Sequence, residues 1–214
     1  MSITRRLFLL ALWGGVGSVV PAAAQSVRPA GPLAPPGYGS LAQGDLSLRL
    51  RNEDIEVRFV PLDPRVTRLL ARDAYQSVEG LVLARRRSID SIATLGGVSR
   101  PGLALVTFFG LRPNAAFDPQ TLSVLVRNRL FRPLGIVPLS VRFSSQQLEV
   151  REQVSAIYVY EQELPVEDAF ALSYDGLNSE DWLNKQSLLD RERARVASRA
   201  RAGQSSDSLR GVTR

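Results

Sequence analysis

The chain contains no histidine and no cysteine, which closes several kinds of chemistry to its residues. Ser-His-Asp and Cys-His nucleophilic sites require an imidazole or a thiolate. The common zinc, copper and haem ligand sets draw on the same two side chains. Lys185 is the only lysine. It follows no Gly-x-x-x-x-Gly-Lys loop, and no paired-glycine dinucleotide fingerprint is present. Carboxylate chemistry remains open. Glu149, Glu152, Glu161, Glu163, Glu167, Asp168 and Asp175 gather in the second half. Two such groups about 5–9.5 Å apart across a glycosidic bond would hydrolyse it. The simpler role is solvent-facing strand ends and corners, and no catalytic residue is assigned. Asp175, Asn178, Glu180 and Asp181 offer the oxygens that calcium takes. Glu180 and Asp181 equally suit the first turn of a helix, where the dipole favours negative charge. No metal ligand and no cofactor is assigned.

Residue types that could bind rather than react fall in three places. Tyr158, Tyr160, Phe170, Tyr174 and Trp182 could line a groove. Tyr158 and Tyr160 share the inward parity of Val154 and Ala156, however, so a core role is expected. Arg85-Arg86-Arg87 reads as a solvated helix face. The charge is unevenly distributed. Gln25 to Asp190 holds 18 basic and 19 acidic residues, whereas Arg191 to Arg214 holds seven arginines against Glu192 and Asp207. The formal net charge of +6 therefore comes from the two ends. The basic C-terminal segment is expected to be a solvated helix with weak affinity for anionic surfaces. Nucleic acid is not an expected partner, because no aromatic stacking platform accompanies the basic run. Arginine outnumbers lysine 26 to 1, and its scatter along the chain fits codon usage better than a phosphate-binding surface.

These side chains must be positioned by elements that the apolar pattern reveals. Leu46, Leu48 and Leu50, then Ile55, Val57 and Phe59, alternate with polar residues around Asn52-Glu53-Asp54, the pattern of a β-hairpin with one buried face. Asp63-Pro64 is a helix start. Asp73 and Gln76 suggest the cap of a second helix carrying Ala74, Val78, Leu81, Val82, Ile89, Ile92 and Ala93 inward and stopping at Gly96-Gly97. From Leu103 the pattern turns to strands: Leu103 to Leu111, Leu122 to Val126, a proline-broken run from Phe131 to Phe143, Val154 to Tyr160, and Ala169 to Tyr174. Asp175-Gly176 is read as the end of the last strand. Asn178 or Ser179 then caps a helix on which Trp182, Leu189 and Val196 recur every seven residues.

The first residues have a different character. Arg5 and Arg6 precede an apolar stretch from Leu7 to Val20, followed by Pro21 and Ala22-Ala23-Ala24. This is the charged, apolar, small-residue order of an export signal, with cleavage expected before Gln25. Its 14-residue apolar run is shorter than the ~20 residues of a spanning helix, and no other stretch approaches that length. Thr4-Arg5-Arg6-Leu7-Phe8-Leu9 resembles the twin-arginine export motif; a Sec signal is the alternative. That resemblance implies transport in folded form.

A second resemblance covers about a third of the chain. The strand around Phe108-Phe109, Phe117-x-Pro119, Phe131-Arg132-Pro133-Leu134, Gln147 to Glu152, Ala156 to Tyr160 and Ala171 to Tyr174 resemble bacterial extracytoplasmic immunoglobulin-like domains. The family implies a binding or structural module without a shared active site.

The expected organisation is α+β. Residues 1–24 are a signal peptide, 25–45 a Pro/Gly-rich flexible linker, 46–178 an antiparallel β-sandwich-like domain with two helices inserted at 64–95, 179–203 a C-terminal helix, and 204–214 a disordered tail. The expected role is an exported, periplasmic or extracellular, non-enzymatic module that binds an envelope protein or surface component. A carboxylate-dependent hydrolase of envelope polysaccharide is the alternative. After signal cleavage the protein is not expected to be integral to the membrane.

Overall fold

The computed structural model describes residues 33–127 and 129–211, with side chains described to Ala202 in the last helix. The expected signal, Met1–Ala24, and the first part of the expected linker lie outside these residues. The fold is α+β with antiparallel sheets and four helices. In chain order the elements are β1 (Leu48–Arg51), β2 (Ile55–Pro61), α1 (Pro64–Thr67), α2 (Arg72–Ala84), α3 (Arg86–Leu95), β3 (Gly102–Gly110), β4 (Ala115–Ala116), β5 (Ser123–Val126), β6 (Arg129–Phe131), β7 (Pro133–Pro138), β8 (Gln147–Leu148), β9 (Gln153–Tyr160), β10 (Ala171–Tyr174), β11 (Leu177–Ser179) and α4 (Trp182–Gly211). One sheet runs β1-β2-β3-β9-β7, a second β11-β10-β5-β6, and β4 pairs with β8.

The first hairpin forms where the alternation places it. Asn52 closes its turn by accepting from the backbone N–H groups of Asp54 (2.9 Å) and Ile55 (2.8 Å), the local side-chain bond that makes asparagine a turn residue. Leu48 and Leu50 stand opposite Phe59 and Val57, so one face of the pair is apolar. In β3 the alternation is complete, with Ala104, Val106 and Phe108 buried and Leu103, Leu105, Thr107 and Phe109 half-buried. The buried side of the five-stranded sheet meets the second sheet. Phe108 packs on Tyr174 at 5.7 Å and stacks on Phe117 at 4.4 Å, and the Tyr158 hydroxyl donates to the Pro119 carbonyl at 2.9 Å. On the other side α3 lies against β7 and β9. Any Cβ at position 135 would press on Ile92, which is why glycine stands there.

Several elements differ from the sequence reading. The long second helix is two, α2 and α3, broken at Arg85, whose φ of −107° and ψ of 6° leave helical values. The N-cap of α2 is Ala71 and makes no side-chain bond. Asp73 lies inside the first turn, where its charge still faces the positive helix end. The short strands β4, β8 and β11 were missed. Asp175 (φ 46°) and Gly176 (φ 78°) form a two-residue turn that returns the chain as β11, pairing Tyr174 with Leu177. Positive φ at both centre positions is the geometry of the primed hairpin turns that Asp-Gly favours.

The expected linker is also built into the fold from Ala34 on; the Ala34 carbonyl accepts from Arg68 Nη1 at 3.3 Å. Leu41 is buried and bridges Leu70 in parallel. Its N–H donates to Leu69 O (3.1 Å), and Ala71 N–H donates to Leu41 O (2.8 Å). A Cβ on Gly39 would run into the Leu69 carbonyl, so glycine permits this close approach. Gln43–Leu46 form a 3-10 turn. Helix α4 runs past Gly203, where the sequence reading ends it, to Gly211.

Candidate functional site

The seven carboxylates of the second half do not converge. Glu149 and Glu152 precede β9, and Glu161 follows it. Glu152 and Glu161 are nine positions apart along an extended strand, about 30 Å. A glycosidase pair needs a third of that or less. Each end is tied by arginine. Glu152 pairs with Arg142 at 2.9 Å and accepts from Glu149 N–H at 2.9 Å. Those bonds, the one from Glu149 N–H first, hold its carboxyl below the usual range. At the other end Glu161 meets Arg129 (3.4 Å) and Asp168 meets Arg127 (3.5 Å). Glu163 and Glu167 share one partner, Arg65, at 3.6 and 3.9 Å. Arg65 is itself fixed by two bonds to Asp63 (2.9 and 2.6 Å) and one to Leu164 O (2.9 Å). This knot fastens the loop after β9 to α1.

The calcium candidates also disperse. Asp175 sits in the β10–β11 turn, Asn178 pairs with Ser173 in the sheet, and Asp181 accepts from the Ser179 hydroxyl at 3.2 Å. Among the described residues no group of three acidic, histidine or cysteine side chains is disposed to hold a metal ion. The aromatic candidates are interior. Tyr158, Tyr160, Phe170, Tyr174 and Trp182 are all buried, with Phe170 and Trp182 rings 5.0 Å apart and Trp182 Nε1 donating to Val166 O at 3.1 Å. Burial pushes the Tyr174 hydroxyl up to about 12 and those of Tyr158 and Tyr160 higher, so none of the three is a base at neutral pH.

Two polar assemblies that sequence reasoning missed are more developed. The first centres on Glu192, which is 1% exposed on α4. Its Oε1 accepts from Ser40 N–H (2.9 Å), Ser40 Oγ (2.8 Å) and Arg199 Nη1 (3.0 Å). Arg199 also donates to Tyr38 O at 2.6 Å, and Arg195 stands 3.6 Å from Oε2. Segment 38–46, hereafter the strap, is thereby tied to a helix 152 residues away. Part of the basic segment expected to face solvent therefore holds the N-terminal segment. Other arginines there make local contacts, Arg193 with Asp190 (2.6 Å) and Arg201 with Ala197 O (3.1 Å). The exposed Arg86 pairs with Asp90 at 3.0 Å.

The second is a depression of about 410 Å³ between the strap, β1 and α4, whose lining includes Ser47, Arg49, Asp181, Asn184 and Lys185. Lys185 Nζ donates to Asp45 O at 2.8 Å. A further depression of about 510 Å³ lies at the loop end of the second sheet, with Asp118, Thr121, Gln146, Tyr174 and Asp175 in its wall. There Asp118 N–H donates to the Tyr174 hydroxyl at 3.3 Å.

Among the described residues no helix is long and apolar enough to cross a membrane. No family model matches the chain, and neither a curated protein nor a solved structure matches it significantly.

Proposed function

We propose that the protein is an exported, non-enzymatic binding or assembly module of the bacterial cell envelope, built on a two-sheet antiparallel sandwich of immunoglobulin-like kind. The leader around Thr4-Arg5-Arg6-Leu7-Phe8-Leu9 sends it out of the cytoplasm by the twin-arginine route, and it works in the periplasm or beyond. The observation that carries the non-enzymatic reading is the fate of the carboxylates. Glu149 and Glu152 stand at one end of β9 and Glu161 at the other, and most of the seven serve as ion-pair partners that fix loops. The contacts of Phe108 with Tyr174 and of Tyr158 with Pro119 support two facing sheets.

Cell fractionation tests the compartment. The wild-type chain is expected in the envelope fraction, shortened at its N-terminus, and an Arg5→Lys/Arg6→Lys chain is expected to stay in the cytosol. An unprocessed wild-type chain in the cytosol would remove the reading. A screen of the processed protein against wall and surface polysaccharides tests the absence of catalysis, and no turnover is expected.

One observation favours the hydrolase alternative: Asp118 and Asp175 both line the depression of about 510 Å³. If that is a catalytic pair, glycan turnover will be found and will vanish in both Asp118→Asn and Asp175→Asn.

A further inference from the structure

The chain's one lysine and an arginine without an ion pair among the described residues line the same depression. Arg49 projects from β1 directly opposite Arg58, and like charges facing across strands repel. Arg58 is satisfied by Glu56 at 2.6 Å and by the Phe109 ring at 4.1 Å, while Arg51 takes the other oxygen of Glu56 at 3.6 Å. Arg49 is left exposed, with five N–H donors on a planar fork. Across the depression Lys185 is half-buried. Its three ammonium donors have Asp45 O as their hydrogen-bond acceptor among the described residues. Burial lowers its hold on its proton; the Asp45 and Asp181 carboxylates raise it in part, and Arg49, the smallest influence, lowers it again. Asp181 is the one acid in the wall and already accepts from Ser179. The Asp45 carboxylate is turned to the Ala42 N–H at 2.8 Å. The fold therefore places two cations on one depression, one of them half-buried, with the Asn184 amide beside them.

We propose that this depression binds a compact oxyanion, a phosphate or phosphate ester, between the Arg49 guanidinium and the Lys185 ammonium, with Asn184 as a further donor. A guanidinium offers a phosphate two parallel hydrogen bonds, and an ammonium adds a point charge. The volume of about 410 Å³ leaves room for the group that carries the phosphate. The site names a ligand chemistry for the binding module proposed above. It rests on that reading only for the source of the ligand, either a free phosphate compound or an anionic lipid headgroup.

The unique lysine makes the test direct. In protein carrying labelled lysine, one side-chain NMR signal reports on the site. Inorganic phosphate at constant ionic strength is expected to shift that signal saturably and to move its titration upward by about one pH unit, as a new anion within 4–6 Å does. Arg49→Gln, at an exposed position, is expected to weaken phosphate binding about tenfold or more with an unchanged melting temperature. Phosphatidylglycerol vesicles that reproduce the shift, where phosphatidylcholine vesicles do not, assign the headgroup. A shift with phosphate and none with either vesicle assigns a soluble ligand. An equal response to chloride, or unaltered phosphate affinity in Arg49→Gln, overturns the site. Neither failure bears on export, which fractionation measures separately.

Discussion

Replacing Glu192 by alanine should release the strap from the last helix and destabilise the whole domain. The carboxylate is 1% exposed and accepts two hydrogen bonds from Ser40 and one from Arg199. Its removal leaves the Ser40 donors without their acceptor and strands Arg195 and Arg199 beside each other. Breaking a buried ion pair by deleting one partner costs about 3–5 kcal/mol. The partners here are partly solvated, with Arg199 42% and Arg195 62% exposed, so the loss belongs at about 3 kcal/mol. At this chain length that is a fall in Tm of roughly 6–12 °C. Glu192→Gln keeps an acceptor for Ser40 and should lose about half as much. Ser40→Ala removes only the hydroxyl bond and should cost about 1 kcal/mol. Burial pushes the Glu192 carboxyl upward, but the bonds from Ser40 and Arg199 together hold it below its ordinary value of 4.5. A depressed folded value means that this stabilisation is complete above about pH 4.5 and is lost as pH falls through the folded value. Thermal melts followed by circular dichroism, with hydrogen exchange of residues 38–46, measure both effects. If Glu192→Ala melts within a degree of wild type, or if strap exchange is unchanged, the strap is not held by this carboxylate and the argument fails.

Three further outcomes follow from burial. Tyr160→Phe should be neutral or slightly stabilising, because the Tyr160 hydroxyl is buried and has no hydrogen-bond partner among the described residues, so its removal relieves a desolvated group; a loss above 1 kcal/mol in urea titration would show a hidden partner. Trp182→Ala should cost about 3–5 kcal/mol, since the ring is fully buried beside Phe170 and its N–H is bonded to Val166 O; calorimetry showing less than 1 kcal/mol would contradict that packing. A chain ending at Asp190 should unfold rather than merely lose surface charge, because it lacks Glu192 and the fully buried Val196; near-native circular dichroism with a cooperative melt would refute this.

Where the sequence reading succeeded, the physics was local. Period-two alternation places Leu48, Leu50, Val57 and Phe59 on one face, and the β1–β2 register follows from it. The seven-residue recurrence of Trp182, Leu189 and Val196 marks the buried stripe of α4, and all three are 0% exposed. Where it failed, a local signal carried two meanings. Asp175-Gly176 serves both a strand end and a tight hairpin, and β11 exists because Leu177 to Ser179 find partners in β10. Proline and glycine in residues 25–45 read as flexibility, yet Gly39 is there to let the chain approach Leu69. The Glu192 assembly left almost no trace, since its partners are separated by 7 and 152 residues, and one glutamate among arginines reads as a helix-surface charge.

What the residues determined alone is the chemistry closed to them and the repeat of apolar side chains, because both depend on which atoms are present and on spacing within one element. The tertiary structure decided which charges face one another. It parted the acidic cluster along β9, drew Arg199 inward to the strap, and set Arg49 and Lys185 into one depression. Such juxtapositions depend on which elements pack together, and burial of apolar surface, which drives that packing, is blind to where the charges on the opposite faces will meet.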